Sequence, residues 1–298
     1  MACAKTREQI KRIQFKTKKI VGGSMLGGYS TKHRGSGFDF DQVREYAQGD
    51  DLRFIDWKST ARNNKLLTKQ YFIERNYRIL IALDISASSF MGIGQRSKYS
   101  YLSEIAAIFS LVAEYGKDEV GLILFSDHIN FQLPIKRGKA HRLKILEAIF
   151  SIDTQIDINN YRAGTNLDFL FQEISREFNK KSLVVVISDF IDEHDYVSKL
   201  KALQARHDVV VVRYLDELDR VMPSIGILPI CDAEGGTYGM LDTRFAVDHN
   251  SELSLALKDR VGKQDKFLRS CGIDILPIGP DAHPVQEVVK FFRKRLTY

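Results

Sequence analysis

The feature that most restricts this chain is a pair of unbroken apolar runs, each delivering an acid at its end. Ile79-Leu80-Ile81-Ala82-Leu83 leads into Asp84, and Leu183-Val184-Val185-Val186-Ile187 leads into Ser188-Asp189. Runs of this length without polar alternation are strands covered on both faces, as in a parallel sheet flanked by helices. In Asp84-Ile85-Ser86-Ala87-Ser88 the two serines alternate with the aspartate, so a tight loop turns one carboxylate and two hydroxyls toward a common point. Hard oxygen donors of that kind suit Mg²⁺ or Mn²⁺. Taken alone, D-x-S-x-S also fits ordinary strand-end capping, because Asp and Ser side chains bond local backbone groups.

Between the two runs, Ala163-Gly164-Thr165-Asn166-Leu167 sets a threonine in a loop just before an amphipathic helical pattern. In a doubly wound sheet of order 3-2-1-4-5-6, the first and fourth strands are neighbours at the topological switch point, where such folds bind ligands. Asp84 and Asp189 then face each other across that crevice. Asp84, Ser86, Ser88, Thr165 and Asp189 together resemble the metal-ion-dependent adhesion site of von Willebrand factor type A domains. The resemblance implies that Ser86, Ser88 and Thr165 bind the ion directly, with Asp84 and Asp189 binding it directly or through water. The open coordination position is then filled by an Asp or Glu of a partner.

The rest of the chain keeps an alternation of strand and helix, which argues for a right-handed, mainly parallel sheet. Residues 97–115 place Tyr101, Ile105, Ile108, Phe109 and Val112 on one helical face. Residues 119–125 form a strand, and the short link Ser126-Asp127-His128 returns at 129–133, which requires an antiparallel edge strand. Helices are expected over 141–152, 167–178, 193–206, 244–269 and 283–296, with further strands over 208–214 and 273–278. Two short apolar segments around Asp232-Ala233-Glu234-Gly235-Gly236 read as a β-hairpin inserted near 225–242. The fold class is therefore α/β, a type A-like doubly wound sheet with an antiparallel edge strand and a hairpin insertion.

Charge is concentrated at the amino end. Residues 1–78 hold 17 Lys and Arg against 8 Asp and Glu, whereas the remainder holds 27 against 30. Residues 6–21 carry Ile10, Ile13, Ile20 and Val21 at helical spacing among lysines and arginines, a short basic amphipathic helix. Such a segment (residues 5–21) meets an anionic membrane surface, an acidic partner or nucleic acid, or docks on the acidic remainder of its own chain. Nucleic acid is the weakest of these, since aromatic interleaving there is limited to Phe15. Over 35–75, acids and arginines alternate with single aromatics, which disfavours both a packed helix and a plain strand. A network of Arg–carboxylate pairs anchored by Trp57 and Tyr46 fits better, and residues 66–73 read as a strand.

The succession R-E-Y-x-x-G-D-D-x-R-x-I-D-W-K-x-x-A-R from Arg44 to Arg62, then Glu74-Arg75, then D-x-S-x-S, resembles the bacterial family known as domain of unknown function fifty-eight. Its members are type A-like proteins usually encoded beside MoxR-type AAA+ ATPases. The resemblance implies a MoxR-type partner and a role in assembling or maturing a cell-envelope or metalloenzyme complex. It also implies two parts: residues 1–76, a basic helix and Arg/Asp-rich segment packed on the core, and residues 77–298, the type A-like domain. Type A domains often carry Gly where Ala87 stands, and many relatives have Met at Ser89; neither difference removes a ligand.

Other chemistries have less to stand on. Cys3, Cys231 and Cys271 are too few and too scattered for a disulfide framework or zinc site, which points to a reducing, cytoplasmic setting, with contact at the inner membrane as a peripheral alternative. No run of 18 apolar residues exists. A Mg²⁺-dependent phosphatase or nuclease is the enzyme alternative, but a dehalogenase-type phosphatase needs a second acid where Ser86 stands. No phosphate loop with Lys follows any strand, and the seven histidines form no ligand pair. A non-enzymatic, metal-dependent adaptor is the expectation.

Overall fold

A computed structural model describes residues 10–11, 39–47, 50–63, 65–72, 77–91, 96–156, 160–192, 194–216, 226–232, 235–236, 238–245 and 252–296. The amphipathic helix expected over 6–21 lies outside the described residues except for Ile10 and Lys11, which are helical. The described residues form two compact units. One lies within Lys32–Asn76; the other takes in Ile10, Lys11 and everything from Tyr77 onward.

In the smaller unit, β1 (Asp39–Glu45) pairs antiparallel with β2 (Leu67–Phe72), from Asp39 opposite Phe72 to Glu45 opposite Leu67. Helix α1 (Trp57–Asn63) lies between them in sequence, and Asp56 Oδ1 caps it by accepting from the Ser59 amide at 3.1 Å. Arg44 grips Asp50 with both terminal nitrogens at 2.7 and 2.8 Å, and Arg53 closes on Asp51. The Arg–carboxylate pairing expected here is present, but two expectations need correction. Residues 39–45 do form a strand, because the ladder with β2 satisfies their backbone groups whatever the side chains do. Trp57 anchors nothing within its unit: it is 67% exposed at the start of α1.

The larger unit is built on β3 (Arg78–Asp84), helix α2 (Lys98–Tyr115), β4 (Glu119–Phe125) and β5 (Ile129–Lys136). Helices α3 (Lys139–Gln155) and α4 (Leu167–Glu177) follow, then β6 (Leu183–Ser188), α5 (Val197–Arg206) and β7 (Asp208–Tyr214). After the hairpin β8 (Ile227–Cys231) and β9 (Tyr238–Asp242) come α6 (Glu252–Ser270), β10 (Asp274–Ile278) and α7 (Pro284–Leu296). Six strands share one sheet in the order β10-β7-β6-β3-β4-β5, all parallel except the edge strand β5. Counted along the chain this is the expected 3-2-1-4-5-6, with β3 and β6 adjacent at the switch point. Pro134, which cannot donate to a ladder, sits in the edge strand where it is tolerated.

Period-two alternation along each strand feeds two separate cores. Ile79, Ile81, Leu83, Val185 and Ile187 pack with α2, α3 and α7, while Leu80, Ala82, Val184 and Val186 pack with α4, α5 and the end of α6. Helix α2 is buried almost all round rather than on one face, because α3 and α7 cover the sides that its sequence leaves to Ala106, Ala107 and Ser110. Two helices begin later than their patterns suggest: α5 at Val197 and α6 at Glu252, with Arg244 in a 3-10 turn instead. No helix among the described residues is long and apolar enough to cross a membrane.

Gly121 lies tight against the edge strand. A Cβ there would stand 2.8 Å from Ile135 Cγ1 and 3.0 Å from the Leu133 carbonyl oxygen. Gly121→Ala is therefore expected to lower stability by roughly 1–3 kcal/mol, read as a lower urea midpoint, with no comparable loss for Ala at exposed Gln132.

Candidate metal centre

The parallel register sets Leu83 opposite Ile187, so the next residues, Asp84 and Ser188, stand side by side and Asp189 follows at once. Asp84 is fully buried and Asp189 is 1% exposed. Asp84 Oδ1 accepts from the Ser86 amide at 2.8 Å, and Oδ2 accepts from the Ser188 hydroxyl at 2.6 Å. Burial first and the Asp189 charge second push the Asp84 carboxyl up to about 7. Ser188 in turn accepts from the Phe190 amide at 3.0 Å, which bends the chain just past the strand; Phe190 has a positive φ of 61°. A bulky residue held there stores strain that its surroundings must maintain.

The first loop is also fixed in place. Ser86 is fully buried, and its hydroxyl lies 3.1 Å from that of Ser88 and 3.4 Å from that of Ser89. Phe90 stacks on Tyr99 at 4.8 Å and meets Tyr161 edge-on. The Ala87 amide donates to the Ala163 carbonyl at 2.8 Å, which ties this loop to the one bearing Thr165. Thr165 is itself buried. Its loop is stitched further: Asn166 donates its amide to the Ser126 carbonyl, and Asp192 Oδ2 accepts from the Leu167 amide at 2.6 Å. Asp192 Oδ1 also holds the ring of His194, whose pKa it raises. All five residues anticipated from sequence thus lie on three loops that are bonded to one another at the carboxyl ends of β3 and β6.

Sequence reasoning missed four residues that complete the site. Lys98, on the first turn of α2 and 9% exposed, brings its ammonium 3.4 Å from Asp189 Oδ2. Ser188 ties Asp84 to the turn at Phe190. Asp192 joins the loops of Thr165 and Asp189. Arg213, 1% exposed, donates Nε to the Asp189 carbonyl at 3.3 Å while pairing with Asp265 at 2.6 Å and with Gln264. Gln264 Nε2 donates to the Phe190 carbonyl at 3.0 Å, so α6 braces the acid-bearing turn. The available signal was Arg213 itself, a charge closing a four-valine buried run.

The donor set fits a hard divalent ion. Among the described residues no three His, Cys, Asp or Glu side chains cluster to hold a metal, so an ion here depends on the hydroxyls as well as the acids. Asp84 receives only neutral donors, and no described cation pairs with it. With Lys98 counted against Asp189, one buried negative charge is left over, and hydroxyl oxygens stand beside it.

The strand order, the reversed edge strand and the two strand-end acids define a doubly wound α/β domain of von Willebrand factor type A-like architecture. The chain belongs to the family described as protein of unknown function DUF58, whose model matches residues 42–252. An uncharacterized protein of Mycobacterium tuberculosis is 24% identical over 290 residues, covering 96% of this chain and 88% of its own length. One of Mycobacterium avium is 29% identical over 124 residues, 41% of this chain and 71% of that protein. Similar solved structures include the conserved hypothetical protein BatB from Bacteroides thetaiotaomicron, 19% identical, covering 75% of this chain and all of that one, with a TM-score of 0.44. A von Willebrand factor type A protein from Catenulispora acidiphila is 8% identical over 78% of this chain and 44% of that one, with a TM-score of 0.42.

The raised Asp84 carboxyl has a definite sign in stability. Between its ordinary 3.8 and about 7 the folded chain keeps a proton that the unfolded chain has lost, so stability falls as pH rises through that window. Asp118, pushed up to about 7 by its own burial, acts in the same direction. Metal-free protein is expected to unfold at lower urea at pH 8 than at pH 5, and Asp84→Asn to recover roughly 1–3 kcal/mol of that loss.

Proposed function

We propose that the chain is a non-enzymatic adaptor that binds a partner's acidic side chain through a divalent ion, Mg²⁺ or Mn²⁺, held by Asp84, Ser86, Ser88, Thr165 and Asp189. The observation that carries this reading is the pair Asp84 and Asp189, both buried at the ends of adjacent strands and near enough for the Asp189 charge to raise the Asp84 carboxyl, with the Ser86 and Ser88 hydroxyls 3.1 Å apart. Charge supports it further. Two carboxylates and the Lys98 ammonium sum to −1, so a divalent ion brings the centre to +1 and one carboxylate from outside brings it to zero. A buried site is least costly when neutral. The centre therefore favours an anionic partner group over a neutral one.

The partner proposed is a MoxR-type AAA+ ATPase in the cytoplasm, in work on assembly or maturation of another complex. Family resemblance supports the ATPase and the process; the site chemistry supports only an acidic contact. Two substitution sets test the reading. Mg²⁺ is expected to raise the thermal midpoint of the wild type and not of Asp84→Ala or Ser86→Ala, and capture of the ATPase is expected to fail in EDTA and in both variants. Equal capture under all of these conditions overturns the adaptor. Because Lys98 competes with the ion for Asp189, Lys98→Gln is expected to bind Mg²⁺ at least about tenfold more tightly by calorimetry, the gain following from removing a cation roughly 4 Å from the ligand.

A further inference from the structure

The patterned stretch from Arg44 to Arg62 supplies none of the five residues of the candidate metal centre. Helix α1 within it is pinned by its inner side. The Asp56 amide donates to the Leu67 carbonyl at 2.9 Å, Thr60 Oγ accepts from the Leu67 amide at 3.0 Å, and Ser59 Oγ donates to Asp56 at 3.1 Å. At 3.6 residues per turn this leaves Trp57, Lys58, Ala61 and Arg62 together on the outer side. All four are exposed. Trp57 is 67% exposed, and Leu52, in the 3-10 turn just before the helix, 64%. Two large apolar side chains this open, a few residues apart, are surface that association would bury.

Charge on the same face is unbalanced. Arg44, Arg53, Lys65 and Lys69 are paired with Asp50, Asp51, Glu45 and Asp56. Lys58 and Arg62 pair with no described residue. Four residues apart on one helix face, these two cations repel each other. A carboxylate arriving between them removes that repulsion and accepts from two charged donors. A second copy of the chain would bring the same two cations and be repelled. An anionic bilayer calls for a longer basic stripe and a broader apolar face than two turns of helix supply. A nucleic-acid strand calls for cations tracking along it, whereas the other described cations of this unit are already taken by carboxylates.

We propose that the outer side of α1 is a docking face for an acidic protein segment. An aliphatic or aromatic side chain of that segment packs over Ala61 against the Trp57 ring, and a neighbouring Asp or Glu bridges Lys58 and Arg62. The contact needs no metal ion, so it stands or falls separately from the metal centre.

Trp57 is the single tryptophan of the chain, so its emission reports this face alone. The test titrates the full chain, in EDTA, with a capped peptide of alternating glutamate and leucine and with its glutamine-for-glutamate counterpart. The glutamate peptide is expected to shift the emission to the blue and to saturate. The glutamine peptide is expected to bind at least about tenfold more weakly, the scale of one lost hydrogen bond to a charged group. Lys58→Gln with Arg62→Gln is expected to weaken the glutamate peptide by a similar factor while leaving the peptide-free thermal midpoint unchanged, since both side chains are exposed. No shift with the glutamate peptide, equal binding of the two peptides, or undiminished binding by the double variant overturns the proposal. So does a tighter response to oligothymidylate or to phosphatidylglycerol vesicles, which gives the face to nucleic acid or to lipid, and so does a blue shift on concentrating the chain alone, which gives it to a second copy.

Discussion

Two carboxylates held next to each other out of water are the constraint around which this domain is arranged. The pairing of Leu83 with Ile187 leaves no freedom: one residue further along each strand, Asp84 meets Ser188, and Asp189 is next. Like charges in that position repel strongly because little solvent screens them. The fold answers with neutral donors to Asp84, an ammonium to Asp189, and a brace from Arg213 and Gln264 that holds the turn at Phe190. None of this bracing is needed to fill the core.

What could be read from the sequence follows from which side chains had one role. The strands β3 and β6 were legible because residues covered on both faces leave an unbroken apolar run, and their terminal acids were conspicuous for the same reason. Lys98 was not legible, since a lysine on the first turn of a helix ordinarily points to water; here the closeness of β6 turns it inward. Ser188 passed as a link between a strand and an acid, although its hydroxyl donates to Asp84 and accepts from the Phe190 amide. In the smaller unit the alternation of acids, arginines and aromatics concealed β1, because its ladder partner β2 lies more than twenty residues on and the pairing does not depend on an apolar face. The same ambiguity made Trp57 read as an anchor when it stands in solvent.

The reversed edge strand explains both ends of the molecule at once. Had β5 run parallel to β4, the helix after it would have started at the carboxyl ends of the strands, like α2, α4 and α5. Because β5 runs back, α3 begins at the amino ends and finishes at the carboxyl ends. Its exit therefore delivers the loop of Thr165 to Ala87, where the Ala163 carbonyl is taken up. Its entry leaves a bare glycine cap and uncapped amides beside Arg142 and Asp118. A single change of strand direction thus gives the sheet a rim bearing two buried acids at one end and the start of a helix at the other. The two are joined by α3, whose buried Ile145 and Ile149 lock into the same core as Ile81 and Leu83 of β3. Along its length α3 packs against α2 and β4.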